Sequence, residues 1–107
     1  MNLNMSFKHL VPDDSIKQYA REKSEKLKKY FRGRINVTWN FTRERNDSIA
    51  HCHLVGNHMD YFGEASTQDL FAAIDLVLDK IEKQLRKHKE IVKDHLHNSV
   101  DLEFQED

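Results

Sequence analysis

Lysine and arginine are sorted along this chain. Between Ile16 and Arg34 eight bases (Lys17, Arg21, Lys23, Lys26, Lys28, Lys29, Arg32, Arg34) stand against Glu22 and Glu25, and between Lys80 and Lys93 six bases stand against two acids. From Glu44 to Asp79 the balance reverses, with seven acids against Arg45 alone, and the last seven residues hold four acids. The formal net charge of −1 therefore hides two basic blocks, which point to a face that binds a polyanion. The alternative is a Lys-rich solvated surface with no partner. Whether the lysines converge in space separates the two.

Other residues offer different chemistry. His51-x-His53 in an extended segment puts two imidazoles on one side, and His58 or Asp60 on a following strand would complete a three-ligand zinc site for metal-assisted hydrolysis. No H-E-x-x-H or paired C-x-x-C element accompanies them, and exposed histidines on a polar sheet face are the simpler reading. Cys52 alternates to the opposite, apolar side, where a thiol is inert. As the only cysteine it cannot close an intramolecular disulfide, which suits a reducing compartment. No glycine-rich phosphate loop is present, so nucleotide hydrolysis has no support. Trp39 and Phe41 alternate with polar residues and read as core, not as a base-stacking platform, whereas Phe62 falls on the polar side as a possible contact.

The chain of 107 residues is the size of one domain. With 38% apolar and 33% charged residues, it excludes a membrane span and favours a soluble domain with a heavily solvated surface. Met1 to Asp14 shows no secretory pattern, and a cytoplasmic location is expected.

Leu3, Met5 and Phe7 alternate with polar residues as a half-buried strand, and Pro12-Asp13-Asp14 stops it and supplies a helix cap. Ile16, Tyr19, Ala20, Lys23, Leu27 and Tyr30 follow at helical spacing, with Gly33 at the C-cap. Ile35, Val37, Trp39 and Phe41 form the clearest strand. After a turn over Arg43–Ser48 comes a strand over Ile49–Val55, then a turn at Gly56-Asn57 and a strand over Met59–Ala65. From Thr67 onward Leu70, Ala73, Ile74, Val77, Ile81, Leu85, His88 and Val92 mark a long amphipathic helix.

The predicted fold is α+β with the order β-α-β-β-β-α: a four-stranded sheet carrying two helices on one face. The first crossover makes strands one and two parallel, and the other sheet face is polar. Residues 1–97 form the single binding domain, and 98–107 are expected to be an acidic, disordered tail. At about 100° per residue, Lys80, Lys83 and Lys87 share roughly a 60° sector beside the apolar stripe, with Arg86, Lys89 and Lys93 in another. Lys26 and Lys29 follow one flank of the first helix, and Lys23 falls nearly inside its apolar face, where an ammonium needs an explanation. If the helices lie side by side, these six lysines line the groove between them and match phosphate spacing.

Asp69-Leu70-Phe71-Ala72-Ala73-Ile74-Asp75, followed by Asp79-Lys80-Ile81-Glu82-Lys83-Gln84-Leu85 and Lys87, resembles the second-helix signature of the ribosome hibernation promoting factor family, which includes ribosome-associated inhibitor A. Ile16, Lys23, Lys26-Leu27 and Lys29-Tyr30 match that family's first helix, and the resemblance covers roughly residues 1–95. It implies a bacterial stress or stationary-phase protein that binds the small ribosomal subunit near the decoding centre and occupies the mRNA and tRNA path. It implies no catalysis, no cofactor and a monomer off the ribosome. The family's RNA-facing positions map to Lys23, Lys26, Lys29, Lys80, Lys83 and Lys87. The length resembles the family's short form, without its C-terminal dimerisation domain. Ser99–Asp107 resembles the acidic extension of the inhibitor-A type, which implies a tail that keeps ribosomes as single particles; a solubilising appendage is the alternative. The fold also resembles the double-stranded-RNA-binding domain with an added strand. Ser66-Thr67-Gln68-Asp69 lacks the lysine cluster those domains place before their last helix, which disfavours generic duplex binding. A stand-alone factor for another structured RNA, or for ribosome assembly, is the competing RNA-binding reading.

Overall fold

Alternating apolar residues need one covered face, and the chain supplies two amphipathic helices to cover it. The computed structural model describes residues 1–31, 33–56 and 58–98, with side chains described as far as Lys87. Its strands are β1 (Asn2–Lys8), β2 (Asn36–Glu44), β3 (Asp47–Gly56) and β4 (Met59–Thr67); its α-helices are α1 (Asp14–Ser24) and α2 (Leu70–Asn98). The strands lie in the order β1-β2-β3-β4. β1 runs parallel to β2, with Met5 beside Trp39 and Phe7 beside Phe41. The other pairs are antiparallel. The expected α+β architecture is thus the observed one. The acidic extension from Ser99 onward lies outside the described residues, and α2 continues through Asn98.

Trp39, Phe41, Val37, Ala50, Cys52 and Leu54 are fully buried from the sheet, under Leu27, Ile74, Val77, Leu78 and Ile81 from above. Trp39 and Phe41 stack on each other at 5.7 Å, and the Phe7 ring lies 5.0 Å from Phe41. They are core, as their alternation predicts. On the open face, Asn2 Nδ2 donates to Asn36 Oδ1 at 3.0 Å and the Ser6 hydroxyl donates to Asn40 Oδ1, so side-chain hydrogen bonds link β1 to β2 beside the backbone ladder.

The first helical segment departs from the expected single helix. Asp13 caps α1, its Oδ1 accepting from the Ser15 N–H at 2.8 Å. After Ser24 the chain tightens into a 3-10 helix over Glu25–Tyr30, and Phe31 at its end is already extended. Buried positions accordingly change spacing from four residues (Ile16, Ala20, Ser24) to three (Leu27, Tyr30), the period of a 3-10 turn. Ser24 occupies the core slot at the switch, and its Oγ accepts a 2.9 Å hydrogen bond from the buried Trp39 indole. A buried indole N–H needs such a partner. Gly33, at φ +85, lies past this segment and caps no α-helix.

Two turns also differ in detail. β2 and β3 pair out to Glu44 and Asp47, so the turn contracts to Arg45-Asn46, with Arg45 at φ 58. Gly56 pairs with Met59 inside the ladder, and among the described residues of that connection His58 is left-handed, at φ 63. The glycine serves packing: a Cβ on Gly56 would stand 2.7 Å from Ile35 Cγ2. At Gly63 the β4 backbone meets α2 so closely that a Cβ would lie 3.4 Å from Ile81 Cγ1.

Two substitutions test this packing by urea unfolding. Gly56→Ala should cost roughly 1–3 kcal/mol, because Ile35 or the backbone must yield. Ser24→Ala should cost a similar roughly 1–3 kcal/mol by leaving the Trp39 N–H without an acceptor. An unchanged midpoint for either would contradict the packing described.

Candidate nucleic-acid interface

α2 buries Ile74, Leu78, Ile81 and Leu85, and Glu82 shares that stripe, four residues after Leu78 and three before Leu85. Its side chain is only 8% exposed. A carboxylate so buried requires compensation, and the 3-10 segment supplies most of it. Lys26 Nζ lies 3.2 Å from Oε1 and Lys29 Nζ 3.9 Å from Oε2. The Tyr30 hydroxyl donates to Oε2 at 3.2 Å, and Arg86 reaches Oε1 at 4.0 Å from within α2. The Lys29 ammonium also lies 5.4 Å from the centre of the Tyr30 ring. Three cations and a phenol therefore converge on one acid.

A second bridge ties α1 to α2 two helical turns earlier. The Tyr19 hydroxyl donates to both Asp75 oxygens, at 2.8 and 2.9 Å. That hydrogen bond, with burial and the Asp75 charge adding to it, raises the phenol above its ordinary pKa. Lys23 is exposed, with its ammonium 5.3 Å from the centre of the Tyr19 ring. The switch to 3-10 geometry explains why: Ser24, not Lys23, fills the core position, and Lys23 is left at the edge against an aromatic face.

The six lysines do not line one groove. From Ile81, the next residue (Glu82) faces the 3-10 segment and the preceding one (Lys80) faces β4, as a 100° step in each direction requires. Lys80 Nζ donates to the Glu64 carbonyl at 2.6 Å, and Gln84 Nε2 donates to the Phe62 carbonyl at 3.1 Å. Lys87, exposed, lies about 20° from Lys80 on that flank, and Lys83, exposed, about 60° from Lys80 towards the outer surface of α2. Lys23, Lys26 and Lys29 therefore form one bank along the α1 side, and Lys80, Lys83 and Lys87 a second bank across α2. Arg86, assigned from the sequence to a different sector, joins the first bank through Glu82. The pattern of apolar residues gives each lysine's angle to the core but not which neighbour packs on each flank. Glu82 itself was legible as an acid inside the buried stripe, and it is the residue that reading the lysines alone misses.

Among the described residues His51, His53 and His58 do not converge on a metal site. His53 Nε2 lies 2.5 Å from Asp60 Oδ1, whereas the His51 ring leans on Phe62 at 5.9 Å. Among the described residues no three His, Cys, Asp or Glu side chains converge as ligands, so the zinc-hydrolase reading lacks its ligand set. Cys52 is fully buried, and burial pushes its thiol up to about 12, so it is protonated at neutral pH and no nucleophile. Phe62 is 62% exposed on the open sheet face. A concavity of about 470 Å³ at the start of the two helices is lined by His9, Asp13, Arg43, Ser48 and Asp69 among others, and by none of the six lysines.

Known proteins bear on this arrangement. The ribosome hibernation promoting factor of Escherichia coli K12 is 33% identical over 98 residues, spanning 89% of this chain and all of that protein. The factor of the same name from Azotobacter vinelandii is 32% identical over 90 residues, 84% of each chain. The N-terminal domain of Thermus thermophilus Protein Y superposes with a TM-score of 0.77 at 24% identity, over 82% of this chain and 99% of that one. A ribosomal subunit interface protein from Coxiella burnetii gives 0.75 at 17% identity, over 84% of this chain and 99% of that one. These two likenesses speak for the fold. Residues 3–93 match a single family along nearly the whole described domain, in agreement with the second-helix signature, and the chain belongs to that family, described as Sigma 54 modulation protein / S30EA ribosomal protein.

Proposed function

We propose that this protein is a non-enzymatic ribosome hibernation factor of the cytoplasm. It binds the small ribosomal subunit as a monomer at the decoding region and blocks the mRNA and tRNA path. Family membership and the name carried by its relatives support hibernation as the role. The observation that carries the RNA-binding part is the two banks of lysines on either side of α2. Lys23, Lys26 and Lys29 on one side, and Lys80, Lys83 and Lys87 on the other, meet ribosomal RNA. The open sheet face, with its Asn, Ser and Thr rows, offers no comparable charge.

The split into two banks shapes how RNA is held. A helix with its side chains is about 10 Å across, so the banks address two separate stretches of backbone with α2 between them. Folded ribosomal RNA presents such juxtaposed strands; an isolated single strand does not. Each neutralised phosphate releases counterions, so binding weakens steeply with salt.

Sedimentation of stationary-phase lysate tests the role. The protein should travel with small subunits or whole ribosomes. Recovery only in the soluble fraction would defeat the hibernation reading, and recovery with another structured RNA would favour the stand-alone factor. With purified subunits, reversing Lys83 and Lys87 to Glu should abolish binding while shifting stability by no more than about 0.5 kcal/mol. Lys8→Glu, on the open sheet face, should leave binding nearly intact. Lys80→Glu should lose binding and also about 1 kcal/mol of stability, because Lys80 holds the Glu64 carbonyl. Equal loss from Lys8→Glu would reduce the interface to undirected charge.

A further inference from the structure

The cluster at the 3-10 segment goes beyond the six lysines. We infer that Lys26, Lys29 and Arg86 form one composite site for a single backbone phosphate, and that Glu82 is the positioning residue that makes them a unit. This deepens the ribosomal reading and rests on it for the identity of the RNA.

Glu82 is 8% exposed, whereas the cations around it are open to solvent: the side chain of Lys26 is 41% exposed, that of Lys29 65% and that of Arg86 54%. The acid therefore lies beneath the cations, and they face outward above it. An ammonium has three N–H donors and a guanidinium five. Glu82 can engage only a fraction of these, and Tyr30 already occupies part of its acceptor capacity. Among the described residues the remaining donors have no other hydrogen-bond acceptor. Three positive charges over one negative leave a net excess that suits an anion.

The geometry also explains how like charges stay together. Without Glu82, two lysines and an arginine drawn from separate segments would repel one another and disperse. With it, cations from the 3-10 segment and α2 are held near one carboxylate before any ligand arrives, which lowers the ordering cost of binding. Phosphate is the fitting class of anion because it accepts from several directions, including the guanidinium. Arg86 thereby joins the binding set, and Glu82 acts through its neighbours without touching the RNA.

The test uses the full chain, isotope-labelled, titrated with inorganic phosphate at constant ionic strength and read by NMR at side-chain nitrogens. The signals of Lys26, Lys29 and Arg86 should move along one shared curve, while Lys8 and Lys83 hardly move. In Glu82→Gln, which keeps the shape and an acceptor for Tyr30, the three signals should no longer share a curve. Equal movement of all lysines, or a Glu82→Gln variant identical to wild type, would overturn the inference. Arg86→Ala alters an exposed side chain and keeps the test open should Glu82→Gln fold poorly. Its affinity for purified small subunits should fall about tenfold, the scale of one charge-assisted hydrogen bond. Combined with Lys26→Ala, it should lose less than the product of the two single effects. If wild type binds subunits and Arg86→Ala binds equally well, the inference fails and the ribosomal reading stands. If the phosphate response appears but subunits are not bound, the ribosomal reading fails and the site stands.

Discussion

A buried carboxylate between two helical segments sets the geometry of the basic face. Glu82 would be costly in the core of so small a domain, and its position is tolerable because Tyr30, Lys26, Lys29 and Arg86 all converge on it. Arg86 reaches it from within α2, and Tyr30, Lys26 and Lys29 reach it because the chain tightens after Ser24. Three-residue spacing brings Leu27 and Tyr30 down onto the core while Lys26 and Lys29 flank the seam with α2. The Ser24–Trp39 hydrogen bond fixes where that tightening starts. An apolar requirement of the sheet, the need to satisfy a buried indole, is thus linked to the placement of surface cations.

The second bank depends on a different constraint. β4 is an edge strand, and its outward carbonyls would otherwise be open to pairing with another chain. Lys80 and Gln84 of α2 cover the carbonyls of Glu64 and Phe62. Between those two residues α2 runs over Gly63, where a Cβ would meet Ile81 Cγ1 at 3.4 Å. Lys80 therefore serves both the fold and the charge of the face, whereas Lys83 and Lys87 are exposed. Both basic blocks thus lie on the helical side of a chain whose formal net charge is −1.

Much of this was legible in the residues. Period-two alternation identified the strands and their buried faces, and the strand–helix–strand order required the parallel pairing of β1 with β2. Helical periodicity identified α2 and nearly all of its core residues; Leu78 was the omission. What the pattern did not contain was the identity of the neighbours. Alpha and 3-10 geometry both accept Ile16, Ala20, Leu27 and Tyr30 as apolar positions, and only the fate of Ser24 and Lys23 tells them apart. Gly56 reads as a turn residue in sequence because its packing against Ile35 spans 21 positions of chain. The pattern gives each lysine's angle from the core but not the division of the six across α2, since that angle leaves the packing partner on each flank undetermined.

The central claim is that the helical side meets ribosomal RNA with α2 lying between two stretches of backbone. Electron cryomicroscopy of the full chain bound to the small subunit tests it most directly. The account predicts that Lys23, Lys26 and Lys29 face one RNA segment and Lys80, Lys83 and Lys87 another, with the Asn- and Ser-lined sheet face turned away from both. A complex in which the sheet face around Phe62 lies against the RNA, with the lysine banks in solvent, would contradict it.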